Sequence, residues 1–262
     1  NNIINAFFMV VGALAATAMF AGGLSIPMLF AVAAICNAAI AVFIYGLVPE
    51  FLLRFLAWGL IHLFYRVQKR GVEGIPHEGA ALIVCNHVSF VDPVILMAVS
   101  PRPIRFVMDH HIFRTPLISF IFRHTRAIPI APAREDAAMM ERAFDEVSAA
   151  LREGELVGIF PEGRITDSGE LYPFRPGVTR ILERDPVPVI PLALQGLWGS
   201  FFSRKGGPAM SKPFRHPLFS KIAVVGAAPV EPAEATPARL QEIVGRLRGS
   251  RESTGPWRAR VL

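Results

Sequence analysis

Two short stretches of this sequence carry side chains suited to bond-making chemistry. The first is Asn86-His87-Val88-Ser89-Phe90-Val91-Asp92, where an imidazole is followed five positions later by a carboxylate. If the chain turns into a helix here, Asp92 folds back onto His87. A carboxylate on one ring nitrogen fixes the tautomer and raises the basicity of the other. A general base acting on an alcohol needs that arrangement. A structural histidine resting on a nearby aspartate has the same spacing. The second stretch is Phe160-Pro161-Glu162-Gly163-Arg164-Ile165-Thr166. Its tight turn can set a guanidinium and backbone amides around a phosphate; a surface turn with an ion pair is the plainer alternative. Cys85 lies two residues before His87 and raises a thiol mechanism. Strand alternation points Cys85 and Asn86 to opposite faces, which favours Cys85 as a small core residue.

Both stretches follow apolar runs that read as buried strands, Ala81 to Cys85 and Leu156 to Phe160. A strand end exposes the next side chains at a sheet edge, where α/β proteins tend to build their sites. Further strands are expected at Tyr65–Gln68, Arg105–Met108, Ala127–Ile130, Val187–Leu194 and Ile222–Val225. Met140, Phe144, Val147 and Leu151 recur on one face of a helix over Ala137–Arg152, ended by Gly154. Thr236 caps a last helix with Pro237 at its first position and Leu240, Ile243, Val244 and Leu247 as its stripe. Strands alternating with helices predict an α/β fold with a central mixed sheet flanked by helices.

The first 49 of the 262 residues contain no Asp, Glu, Lys, Arg or His, so the net charge of +6 belongs to the remainder. Ile3 to Phe20 is about one membrane span; Gly22 and Gly23 offer a turn; a second helix capped by Ser25 runs to about Leu47. The expectation for residues 1–49 is a transmembrane helical hairpin. Arg54, Arg66, Lys69 and Arg70 follow it and place the rest in the cytoplasm. Residues 50–64, rich in Phe, Leu and Trp, read as an interfacial helix. Residues 65–249 then form the catalytic domain and 250–262 a mobile tail. A basic domain beside an apolar segment points to anionic membrane lipid before nucleic acid. Trp198 to Lys221 interleaves aromatic with basic residues, as a loop docking on headgroups or on an acidic carrier protein does. Two cysteines give no disulfide framework, and beyond the weak pair His110 and His111 the histidines form no ligand-spaced set, so no metal is expected.

Taken in order, the two stretches resemble the phospholipid and glycerol acyltransferases (PlsC-type), with their NHxxxxD block and later FPEG block containing an arginine. Val187-Pro188-Val189-Ile190-Pro191 is similar to the family's fourth block, and the resemblance spans roughly Tyr65 to Pro229. It implies a glycerol-3-phosphate acyltransferase-like fold and a membrane-bound acyltransferase of lipid metabolism. His87 is then the general base on the acceptor hydroxyl and Asp92 its orienting partner. Glu162, Gly163 and Arg164 help to bind the acceptor's phosphate. No cofactor is implied; acyl-CoA or acyl carrier protein (acyl-ACP) is the co-substrate, and a lysophospholipid or glycerol phosphate accepts the chain. The family's second block usually ends in a phosphate-binding arginine. Here Arg126 precedes the corresponding apolar run and Arg134 follows it, so either is a candidate. Arg164 follows Gly163 without the usual intervening residue, as in acyltransferase modules of 2-acylglycerophosphoethanolamine acyltransferases. Those are often fused to a lysophospholipid transporter, and the hairpin would be such a transporter's last two helices. Two other readings stay open: a hydrolase of acyl esters or thioesters, and a non-catalytic transporter module.

Overall fold

The computed structural model describes residues 2–47, 49–114, 123–211 and 219–249. The expected mobile tail lies outside the described residues, as do Lys212, Phe214 and Arg215 of the aromatic–basic loop.

By internal contacts the chain divides into Asn1–Pro49 and Glu50–Leu262. The first unit holds helices α1 (Asn2–Ala21) and α2 (Ile26–Leu47). Both are long and apolar enough to cross a membrane, and neither buries any of its span. Helix α3 (Pro49–Phe64) begins at the boundary. It turns Ala57 and Ile61 into the core of the second unit and leaves Phe51, Phe55, Leu56, Leu60 and Leu63 exposed. It therefore covers the following domain on one side and keeps an apolar ridge on the other.

The second unit is built on seven strands: β1 (Tyr65–Arg70), β2 (Ala81–Cys85), β3 (Ile104–Asp109), β4 (Ile128–Ile130), β5 (Leu156–Ile159), β6 (Val189–Gln195) and β7 (Ser220–Gly226). Each falls within a residue or two of an expected strand. They form one mixed sheet in the order β1-β7-β6-β2-β5-β3-β4. Strands β6, β2, β5, β3 and β4 run parallel, and only the β6–β7 pairing is antiparallel. Alternation along β2 divides the core. Ala81, Ile83 and Cys85 join α3 and residues Ile95 to Val99 on one face; Leu82 and Val84 join the helices of the other.

Helix α4 (Asp92–Val99) covers the first face. On the other lie α5 (Ala133–Arg152), α6 (Gly177–Arg184) and α7 (Pro237–Arg248). In α5 the backbone breaks at Asp136 (φ −151°), whose Oδ1 accepts from Met139 N at 2.8 Å. That is a cap, so the regular helix starts at Ala137 as its periodicity indicates. The face it buries is Ala143, Phe144, Val147, Ala150 and Leu151. Thr236 caps α7 by accepting from Arg239 N. The sequence reading omitted α6.

Two consequences of the strand directions matter for function. Every element leaving a parallel strand emerges at one edge of the sheet, so the residues after β2 and β5 are brought together there. Strand β1 runs parallel to β7 and thus opposite to β2. The end of α3, which joins β1 with no intervening residue, therefore lies at that same edge.

Candidate active site

Residues 86–91 turn directly from β2 into α4. Asn86 fixes the exit: its side-chain amide donates to Leu194 O (3.1 Å) and accepts from Leu194 N (2.7 Å) on β6. Asp92 opens α4 and is fully buried. Its Oδ2 accepts from His87 Nδ1 (2.8 Å), Val88 N (2.6 Å) and Ser89 N (2.8 Å), and its Oδ1 from the Ser89 hydroxyl. An ionised carboxylate only accepts, so His87 carries its proton on Nδ1 and presents a lone pair at Nε2. The Nε2 atom has no partner among the described residues, and the side chain keeps 18% of its surface exposed. The ring stacks on Phe160 with centroids 4.2 Å apart, and Phe160 stacks in turn on Phe106. The imidazole is thus fixed on one face and at one nitrogen, and open at the other.

The second stretch meets the first across the gap between β2 and β5. Glu162 Oε1 accepts from His87 N, and Glu162 Oε2 from Tyr172 N, both at 2.8 Å. Thr166 N donates to His87 O at 3.0 Å. Both backbone polar groups of His87 are therefore satisfied by the other loop. Burial pushes the Glu162 carboxyl above the usual range, against the pull of those two amide hydrogen bonds. Only 2% of Glu162 is exposed. Glu162, expected at a phosphate, instead has both oxygens facing inward and engaged, whereas Gly163 and Arg164 are exposed on the outside of the turn. Glu162 holds the backbone of His87 in place.

Arg164 lies over the Tyr172 ring, 3.7 Å from its centroid, and has no acidic partner among the described residues. A second guanidinium, absent from the sequence reading, sits beside it. Arg175 crosses Gly163 so closely that a Cβ there would lie 2.8 Å from its Cζ. Gly163 also has φ 67°, a left-handed conformation that strains any other residue, whereas the Arg175 side chain could shift to admit a Cβ. Arg175 N donates to Pro161 O, and its charge is likewise unpaired among the described residues. The signal for it was Phe174-Arg175-Pro176-Gly177, which tethers α6 to the turn.

Arg126 is not at the site. It precedes β4 and so occupies the opposite end of the sheet, paired with Glu155 (2.6 Å) and Glu153 (3.6 Å). The depth of a five-residue strand, roughly 16 Å at 3.3 Å per residue, separates that end from His87. Arg134 follows β4 and emerges at the catalytic edge, exposed and without an ion pair among the described residues. Cys85 is fully buried, and burial raises its thiol well above the ordinary range, with Asp92 adding to the effect. It is a core side chain, and Cys85→Ala should lower stability by about 1 kcal/mol while leaving turnover at the wild-type level in a steady-state assay.

The aromatic–basic loop packs against the first stretch and against Gly169, just beyond the second. Phe90 N donates to Phe202 O, a bridge joins Ser89 to Ser203, and the Trp198 ring lies against Gly169.

Comparison with known proteins bears on the family and the fold. The family model described as Acyltransferase matches residues 66–195. A chloroplastic 1-acyl-sn-glycerol-3-phosphate acyltransferase of Brassica napus is 28% identical over 137 residues, covering 52% of this chain and 39% of that protein. The 1-acyl-sn-glycerol-3-phosphate acyltransferase of Bacillus subtilis is 27% identical over 125 residues, 47% of this chain and 60% of that one. The chain thus spans less than two thirds of these relatives. The crystal structure of the 1-acyl-sn-glycerophosphate acyltransferase PlsC from Thermotoga maritima shares the fold, with a TM-score of 0.58 at 20% identity, over 93% of this chain and 92% of that one. The motif-bearing stretch matches the family by sequence and 93% of the chain matches in fold: residues 66–195 are an acyltransferase domain of the PlsC-type family.

Proposed function

We propose that this protein transfers a fatty acyl group from acyl-CoA or acyl-ACP to the free hydroxyl of a lysophospholipid or glycerol phosphate. It would work at the cytoplasmic face of the cell (inner) membrane, with α1 and α2 as its anchor. The observation that carries the reading is His87: Nδ1 held by a buried carboxylate, Nε2 open, and two unpaired arginines on the adjoining turn.

In the proposed reaction the acceptor hydroxyl gives its proton to His87 Nε2 as its oxygen attacks the thioester carbonyl. The C–S bond breaks, and the departing thiolate recovers that proton from Nε2. No acyl-enzyme forms. Asp92 stays ionised and stabilises the imidazolium. Arg164 and Arg175 hold the acceptor's phosphate by charge-assisted hydrogen bonds, and no metal enters any step. The relatives named for 1-acyl-sn-glycerol-3-phosphate favour a phosphate-bearing acceptor.

The test is acyl transfer by the purified chain in mixed micelles, on a panel of lysophospholipids and glycerol phosphate with both donor types. Transfer is expected. Donor hydrolysis without transfer would make it a hydrolase, and no turnover would leave an idle module. Within the same assay, Arg164→Ala and Arg175→Ala should each raise the acceptor's KM about 10- to 100-fold, the worth of a hydrogen bond to a charged group. Arg126→Ala, at the far end of the sheet, should leave that KM unchanged.

A further inference from the structure

The segment that carries Arg175, and the ring beneath Arg164, is held by a helix that the proposed reaction does not use. Helix α7 buries Leu240 and Val244 in the core. A second stripe, Gln241, Gly245 and Arg248, recurs at spacings of four and three on an adjoining face. All three meet the segment between the Glu162 turn and α6. Gln241 Oε1 accepts from Phe174 N at 3.0 Å. Gly245 lies against Leu171, whose Cδ1 would stand 3.5 Å from a Cβ there. Arg248 pairs with Glu170 Oε2 at 3.0 Å.

Two of these contacts fall one residue from the arginines' supports. Leu171 precedes Tyr172, whose ring underlies Arg164, and Phe174 precedes Arg175. The consecutive amides of Phe174 and Arg175 donate to different elements, one to Gln241 on α7 and the other to Pro161 O, at 2.9 Å, on the turn. Arg175 therefore sits on a bridge between α7 and the turn, and that bridge sets where its guanidinium crosses Gly163. Phe174 is buried, so its N–H needs an acceptor inside the protein, and Gln241 supplies it. Helix α7 is in turn fixed to the strand that fixes the base. Leu194 holds Asn86, next to His87, by both its backbone polar groups. The following residue, Gln195, ends β6, and its amide donates to Leu247 O and, at 3.2 Å, to Arg248 O. Those carbonyls end α7 and have no partner within the helix. The end of one strand thus ties down the base directly and the two arginines through α7.

We infer that Gln241 is a positioning residue for acceptor binding, holding Arg175 in place through Phe174 N, with Arg248 as a second tie. This rests on the proposed acyl transfer to a phosphate-bearing acceptor. Gln241 touches no reacting atom, so its loss weakens the acceptor's binding and leaves the chemical step alone.

The test is steady-state acyl transfer by the full chain in mixed micelles, with a 1-acyl-sn-glycerol-3-phosphate as the varied acceptor and the donor saturating. Gln241→Leu should raise the acceptor's KM about 3- to 10-fold, the worth of one neutral hydrogen bond, with kcat and the donor's KM unchanged. Gln241→Glu keeps an accepting oxygen and should restore the wild-type KM. In an Arg175→Ala background Gln241→Leu should add nothing to the KM, because an effect carried by Arg175 vanishes with it. Circular dichroism checks that each variant is folded. An unchanged KM in folded Gln241→Leu, a fall in kcat in its place, no rescue by glutamate, or an increment that persists without Arg175 would each overturn the assignment and leave Gln241 as the partner of a buried amide. The proposed function is read separately, on the wild type: a wild-type chain that transfers no acyl group removes that function, and this inference with it.

Discussion

Replacing His87 with alanine is expected to lower kcat/KM for acyl transfer by about 10²- to 10⁴-fold, the usual contribution of a positioned general base. The fold should survive. The side chain is partly exposed, and Asp92 keeps two backbone N–H donors and the Ser89 hydroxyl after the imidazole is gone. A thermal melt close to wild type, beside the lost turnover, would separate chemistry from structure. Asp92→Asn should cost a similar factor by a different route. An amide oriented to accept from Val88 N and Ser89 N turns its NH₂ toward the Ser89 hydroxyl, and it no longer supplies a charge to stabilise the imidazolium. Acyl transfer by His87→Ala near the wild-type rate, in assays with purified protein, would remove the imidazole from the mechanism.

Glu162→Gln should act through structure. An amide has one accepting oxygen where the carboxylate has two, so either His87 N or Tyr172 N faces an NH₂ group instead of an acceptor. Leaving a buried donor unsatisfied costs about 1–3 kcal/mol. In a domain of this size each of those kcal/mol lowers the Tm by about 2–4 °C. The pH dependence has a definite sign. Burial raises the folded-state pKa of Glu162, so the wild type gains stability as pH falls toward the ordinary glutamate range and loses it as pH rises through the raised value. Glutamine does not titrate. The gap in Tm between wild type and variant should therefore widen between pH 8 and pH 5. Had Glu162 been a phosphate ligand on the surface, the substitution would move the acceptor's KM and leave the Tm alone.

The parts of the fold that could be read from the sequence were those written in consecutive residues. Strands β2 and β5 are short, wholly apolar and punctuated, and α5 and α7 carry clear stripes over three or more turns. Helix α6 escaped because it has eight residues and only Val178, Ile181 and Leu182 mark its buried face. The same division holds within the site. His87 and Asp92 are five positions apart, so a turn into a helix is enough to join them. The contact of His87 N with Glu162 spans 75 positions and depends on two strands lying side by side in parallel, which no local pattern reveals. Arg126 was a candidate because an apolar strand looks alike from both ends. Only its direction in the sheet shows that Arg134, and not Arg126, emerges at the edge that carries His87.

The reversal of β1 and β7 against the other five strands has an energetic meaning for a substrate with a long tail. It brings the end of α3, with its exposed Phe, Leu and Trp side chains, to the edge of the sheet where His87 opens. Drawing an acyl chain out of a bilayer into water costs about 0.8 kcal/mol per methylene, more than 10 kcal/mol for a chain of about sixteen carbons. Under the proposed function, with α3 in the bilayer surface, a tail would remain in hydrocarbon while its headgroup reached the imidazole, and that transfer cost would not enter the barrier. Because α3 passes into β1 without a linker and Phe219 N donates to Phe64 O at the junction, its apolar ridge is tied to the edge that carries His87.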